Sequence, residues 1–403
     1  MRKSMLFIVL SFIITVSCSC AKKEDQQPVE NGAEQEAAYE KGYDLPIEDA
    51  AKEEAEGECI EVMGEIREIY IQEDKGEDMN AVISDAAISQ MREKIREMGE
   101  SVTGSEEYPA MDNHQNMEDF LLDAMEGQAG DVILYVVDQD GGIRRKKYVY
   151  DGADMYVLSA RAQWDEEDEP MVTSYSYTRL KEWRYTEKGW FLYNVCVPEP
   201  PEVSEVVDGS YAIRIRPLSD ACRQSSEKYV RPLGYQGNNL LCIDWDGEDM
   251  EDLDYNGLYE YLYRIKYQDK FRAQDHWEGI PAEQFEQVIT DYLPVTAEQL
   301  RQWAVFDAEQ QTYGWAGLGC TEYVLTYFGN SLPEVTEVEE TADGTITLTV
   351  DAVCRKGGDD AALTHELTVR PEEDGSFTYL GNKIVGRGLS DIPTYQYRVG
   401  SAT

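Results

Sequence analysis

Val132-Ile133-Leu134-Tyr135-Val136-Val137, followed by Asp138-Gln139-Asp140-Gly141-Gly142 and then by Ile143 to Tyr150, marks where the chain changes from helical to strand texture. The apolar run is short and rich in β-branched and aromatic residues, which reads as a strand. The Asp/Gly cluster supplies a hairpin turn, and Ile143 to Tyr150 is the partner strand. Downstream, Asp151-Gly152 and the acidic Asp165 to Glu169 separate further strands at Met155 to Gln163, Met171 to Thr178 and Trp190 to Cys196. Upstream the period is helical. Cys59, Val62, Met63, Ile66, Ile69 and Tyr70 make one stripe within residues 46–72. Ser84 caps a second stripe, Ile88, Met91, Ile95 and Met98, that Gly99 stops. Asn116 caps a third, Met117, Phe120, Leu121, Ala124 and Met125, ended by Gly127. Helices followed by an antiparallel meander predict an α+β unit with a curved sheet and helices on one face, closed by Pro198-Glu199-Pro200-Pro201.

The second half repeats that order. A strand near Tyr211 to Arg216 leads to helices over Leu258 to Phe271 and Ala282 to Tyr292. Thr296-Ala297-Glu298-Gln299 is a capping-box pattern for a third, with Leu300, Trp303 and Ala304 on its buried face. Strands return at Thr321 to Phe328, Glu334 to Glu340, Thr345 to Val353, Leu363 to Arg370 and Ser376 to Leu380, with Asp343-Gly344 and Asp374-Gly375 as turns. Gly189-Trp190-Phe191-Leu192-Tyr193 parallels Gly375-Ser376-Phe377-Thr378-Tyr379. The expected architecture is therefore two α+β lobes, 46–200 and 201–395, with a tail at 396–403. Each lobe packs its N-terminal helices on a curved antiparallel meander, similar to nuclear-transport-factor-like domains by fold-level analogy.

The amino terminus speaks of location. Arg2 and Lys3, the apolar run Met5 to Val16 and Ser17-Cys18-Ser19-Cys20 fit an export signal, too short for the ~20 residues of a spanning helix. The pattern resembles the bacterial lipoprotein signal, in which the cysteine after the cut carries lipid. Thr15-Val16-Ser17-Cys18 makes Cys18 the anchor, with Cys20 the alternative. Residues 21–45 have the composition of a disordered acidic tether. The chain is thus expected at the outer face of the cytoplasmic membrane. With 80 acidic against 36 basic residues and a formal charge of −44, nucleic acid is excluded as a partner and anionic lipid disfavoured, because both demand basic patches. At 403 residues and 42% hydrophobic content there is enough apolar material for two cores.

Catalytic signals are sparse. Cys59, Cys196, Cys222, Cys242, Cys320 and Cys354 lack zinc-ligand spacing; Cys222 and Cys242 flank a Gly/Asn-rich loop and are the preferred disulfide, with free buried thiols as the alternative. His365 alternates with Leu363, Leu367 and Val369 and belongs in a core rather than with Cys320 as a nucleophile and base pair. Asp252-x-Asp254-x-Asn256-Gly257 matches the opening of an EF-hand loop and makes calcium the one candidate cofactor. Tyr263 stands where that loop needs a bidentate Glu, so the preferred reading is an acidic loop in which Asp254 or Asn256 starts a helix, and no cofactor is expected. Trp164, Trp245 and Trp277 lie in polar surroundings and are candidate sugar-stacking residues, whereas Trp190 and Trp303 read as core.

Ile243-Asp244-Trp245-Asp246-Gly247, the stretch Leu300 to Tyr313 and the ending from Phe377-Thr378-Tyr379-Leu380-Gly381-Asn382 to Ile392-Pro393-Thr394-Tyr395 resemble uncharacterised lipoproteins of Gram-positive gut bacteria, over most of residues 45–395. That resemblance implies a location and a shared fold and carries no catalytic residues. The expectation is a non-enzymatic, surface-anchored module that binds or supports an envelope protein or a glycan. Its rivals are a glycan-active hydrolase or carbohydrate-binding protein using acidic and aromatic cleft residues, and a calcium-dependent adhesion module.

Overall fold

The run at 132–137 is continuous in sequence because its strand is buried from both sides. The structure, a computed structural model, describes residues 38–75, 82–106, 108–272, 278–318, 325–386 and 394–400. In the first lobe, helices α1 (Asp49–Gln72) and α2 (Asp85–Glu97) precede strand β1 (Ser101–Gly104), helix α3 (His114–Met125) and six strands. These are β2 (Gly130–Val137), β3 (Ile143–Tyr150), β4 (Met155–Trp164), β5 (Pro170–Tyr185), β6 (Trp190–Val195) and β7 (Ser210–Arg214). The seven strands lie in sequence order, antiparallel except for β1 beside β2. Tyr135 and Val137 pack with the stripes of α1 and α2, while Leu134 and Val136 pack on the other side with Met117, Phe120 and Leu121 of α3.

Helices therefore cover both faces of the first sheet, not the single face expected. A strand wetted on one side alternates polar and apolar residues; one that does not must find a layer on each side. The sheet also curls on its α3 side. Tyr148 of β3 reaches across to Tyr193 of β6, hydroxyl to hydroxyl at 3.0 Å, although two strands separate them. The strand after the Pro-rich stretch stays in this sheet. Residues 196–209 form a long hairpin connection, after which Ser210 to Arg214 pair with Trp190 to Asn194, so the first lobe runs past residue 200.

The second lobe is built around one large core. Helix α4 (Asp220–Ser225), capped by the Ser219 hydroxyl, runs into a π-helical turn at Ser226–Val230. Helices α5 (Tyr255–Tyr267), α6 (Ala282–Tyr292) and α7 (Ala297–Trp303) follow, the last with the expected reciprocal capping box between Thr296 and Gln299. Strands β12 (Leu332–Glu340), β13 (Ile346–Val353), β14 (Thr364–Pro371) and β15 (Phe377–Val385) form an antiparallel meander, extended at its β15 edge by β8 (Trp245–Asp246). The short β9 (Ile280–Pro281), β10 (Phe306–Asp307) and β11 (Thr312–Tyr313) make a separate ribbon. Of the strand expected at Thr321 to Phe328, residues 321–324 lie outside the described residues and Phe328 opens a 3₁₀ turn. The α+β class holds across the described residues.

The string shared by the two halves is turn chemistry. In each, a backbone N–H donates across the turn to the carbonyl four residues on, Thr186 to Trp190 and Glu372 to Ser376. Gly189 and Gly375 both take φ near +90° (+90° and +89°), which an L side chain resists. A Cβ on Gly189 would also lie 2.5 Å from Arg216 Cβ.

His365 is in the core as its alternation requires, fully buried with Leu363, Leu367 and Val369. Asn382 uses its amide N–H on the Ile243 carbonyl, so its Oδ1 accepts from His365 Nδ1 at 2.6 Å. That fixes the tautomer, leaving Nε2 to accept from the Tyr235 hydroxyl at 3.0 Å. Burial pushes the imidazole pKa down to about 4, against the pull of Asn382. A base depressed on folding contributes stability above its unfolded pKa of about 6.5 and loses it as pH falls towards 4, here up to about 3 kcal/mol. Urea unfolding between pH 7 and 4 should show the His365→Gln chain losing less stability over this window than the native one; parallel profiles would refute the buried neutral imidazole.

Candidate functional site

Arg144-Arg145-Lys146-Lys147 on β3 is a run of four cations in an acidic chain, and the two-residue period of the strand divides it. Arg145 and Lys147 point to α1. The Arg145 guanidinium, fully buried, meets Glu58, and Lys147 Nζ lies 2.7 Å from Glu54. Arg144 and Lys146 point to the curled face. Asp138 holds the Arg144 fork through Nε at 3.0 Å and an Nη at 2.6 Å. Lys146 is half-buried, its ammonium 5.0 Å from the ring centre of Tyr211 on β7, and among the described residues no carboxylate ion-pairs with it. Burial, then Arg144, push its pKa down to about 8.

The second lobe closes this face. Leu332, at the start of β12, packs beside Trp190, Leu192 and Val353. Trp190 Nε1 donates to Glu334 Oε2 at 3.0 Å, and Arg214 approaches the same carboxylate at 3.4 Å. Lys188 pairs with buried Asp351, which also accepts from the Thr364 hydroxyl at 2.6 Å. The Tyr108 hydroxyl donates to the Pro333 carbonyl and Arg355 pairs with Asp208 at 3.0 Å. Burial raises Glu334 to a pKa of about 6 despite Arg214 and Trp190.

Between the lobes lies a cleft of about 550 Å³, within the range of small-molecule sites. Its floor is Leu134 and Val136, its aromatic walls are Trp190 and Tyr211, and Pro333 and Val353 face them from the second lobe. Among the described residues five cations line it, Arg144, Lys146, Arg214, Arg231 and Arg355, against one carboxylate, Glu106, which is itself paired with Arg92 at 3.1 Å. Three of the arginines have carboxylate partners behind the wall, so Lys146 is the cation best placed to take a charge from outside.

The residues singled out from sequence do not assemble here. Cys18, Cys20 and Trp277 lie outside the described residues. Trp164 stacks on Tyr70 of α1 at 4.6 Å and donates to the Gly141 carbonyl, while Trp245 is buried in the second lobe and donates to the Leu240 carbonyl. The two therefore form no common platform. Asp254 caps α5, with Oδ1 accepting from Gly257 N–H and Oδ2 from the Tyr395 hydroxyl. Asn256 ties down Val305 and Gly314, and the Asp252 carbonyl accepts from Asn239 and Tyr397. Among the described residues no group of three or more His, Cys, Asp or Glu side chains is placed to hold a metal. Cys222 and Cys242 do not form the preferred disulfide. Both are free, buried thiols, and burial pushes Cys242 up to about 12, where it is inert. Residues 394–400 return to the second lobe, where Arg398 is buried and pairs with Glu260 at 2.7 Å.

Fold and site define a bilobal α+β protein with a cation-lined cleft at the junction of its lobes. The chain belongs to the DUF6070 family, a family of unknown function, which it matches over residues 52–398. No curated protein and no solved structure matches it.

One amine should therefore stand apart in solution. In a ¹³C-methyl NMR titration of the reductively methylated protein, one dimethyl-lysine resonance should titrate well below the others, near 8, and vanish in Lys146→Arg. A single cluster at ordinary lysine values would contradict the half-buried, unpaired placement.

Proposed function

We propose that this chain is an exported, lipid-tethered, non-catalytic binding module, of the kind found among surface lipoproteins of Gram-positive gut bacteria, and that its cleft takes a small anionic ligand. The location is supported by the leader with Cys18 or Cys20 as the lipid site and by the acidic stretch at 21–45. The binding role rests on one observation, the five cations and one acid that line a cleft in a chain of charge −44. Charges of one sign converging on low-dielectric walls focus a field that the surrounding acidic surface lacks.

Binding is favoured over turnover by the same lining. Glycoside hydrolysis needs two carboxylates flanking the bond that breaks, and the cleft offers Glu106, already engaged by Arg92. A calcium-dependent role finds little support where the Asp254 and Asn256 side chains serve the start of α5 and its neighbours.

A ligand that binds only the native state raises its melting point, by about 2.7 kcal/mol of stability at a hundredfold excess over Kd. The full-length chain should melt higher in phosphate or citrate than in chloride of equal ionic strength, and Lys146→Met should remove the difference. Melting points that ignore the anion, or a rise that survives Lys146→Met, would overturn the reading.

A further inference from the structure

Three buried polar atoms without a hydrogen-bond partner among the described residues belong to residues that line this one cleft: Thr103 Oγ1, Ser331 Oγ and Arg214 Nε. Their residues are 4%, 5% and 9% exposed. Such groups are costly to leave unmatched, and here they come from three separate segments, β1, the approach to β12, and β7. Arg214 Nε can only donate, whereas each hydroxyl donates and accepts. Their common complement is a ligand with hydroxyl or ether oxygens.

Strand register fixes where these groups stand relative to the charge. Thr103 pairs with Val136, and Val136 with Arg144; Leu134 pairs with Lys146. Thr103, Val136 and Arg144 thus form one row across three strands on one face, with Lys146 two residues along β3. Two strand spacings separate Thr103 from that cationic end by about 10 Å, with the apolar floor between. That is roughly the length of one sugar ring carrying a charged group. Trp190 and Tyr211 supply aromatic surface for its carbon face. The form of the anion follows from the cations. Asp138 already occupies the Arg144 fork, so planar bidentate capture of a carboxylate has no free partner there, while the Lys146 ammonium is a point charge of the kind that serves phosphate.

We propose that the cleft binds a sugar or polyol phosphate, its phosphate at Lys146 and its hydroxyls at Thr103 and Ser331. This rests on the anion-binding reading above and adds the phosphate and the polyol. Isothermal titration of the full-length chain with glucose 6-phosphate, inorganic phosphate and citrate tests it. Glucose 6-phosphate should bind at least about tenfold tighter than inorganic phosphate. The near-isosteric Thr103→Val and the Ser331→Ala variants should lose that advantage while keeping inorganic phosphate affinity, and Thr103→Ser should restore it. Retained phosphate affinity serves as the check that each variant is folded. Equal affinity for the two phosphates, or an advantage indifferent to Thr103→Val and Ser331→Ala, overturns the polyol. Citrate binding without phosphate binding overturns this proposal and leaves the anion reading standing; no binding of any anion overturns both.

Discussion

The rest of the molecule follows from adjacent strands with opposite needs. β2 is apolar on both faces and must be covered twice, by α1 and α2 on one side and by α3 on the other. Its neighbour β3 carries cations on both faces and must be neutralised twice. Acids of α1 meet Arg145 and Lys147 on the first side. On the second, Asp138 at the β2–β3 turn takes Arg144, and Lys146 is left over a tyrosine ring. Burial of a hydrophobic strand thus sets the sheet between its layers, and the sheet carries the unneutralised charge into a cleft. Because the charge stands on a central strand and not on a loop, its position is fixed by ladder hydrogen bonds on both sides.

The junction of the lobes is as polar as it is apolar. Trp190, Leu192 and Val353 supply contact area that tolerates small sliding, whereas Glu334 has one seat, where its carboxylate meets both Trp190 Nε1 and Arg214. A buried ion pair adds little net stability, since desolvation offsets most of its attraction. The raised pKa of Glu334 carries the mark of that cost. Its benefit is geometric. The same residues, Trp190 and Arg214, that receive Glu334 also line the cleft, so the contact that registers the lobes shapes the site.

Much of the fold was legible because it rests on local chemistry. The helix stripes, the capping box at Thr296 and Gln299, the Asp/Gly turns and the inward face of His365 are dictated by residues near in sequence. The second helix layer is announced only by the unbroken apolar run at 132–137, which signals two-sided burial. The long β6–β7 connection reads like a boundary because prolines mark both, yet the strand after it stays in the first sheet. The site was hardly legible. The conspicuous side chains, Trp164, Trp245 and the acidic loop at Asp254, serve packing and helix capping. The useful signal was contrast: Arg144 to Lys147 is a basic quartet in an acidic chain. No single-sequence reading could join it to Ser331 or Arg355, which arrive from the other lobe through long-range packing.

Contrast of charge also sets the scale of what can enter. The chain as a whole carries a large excess of carboxylates, and at physiological ionic strength their repulsion extends about 8 Å from the surface. A polyanion lying across both lobes would meet that field along most of its length and the favourable one only at the cleft. A ligand small enough to sit within about 550 Å³ would cross the repulsive layer once and then meet a lining in which cations outnumber acids. On the anion-binding reading proposed above, the acidic surface and the basic cleft would act together, the first rejecting extended polyanions and the second retaining a small one.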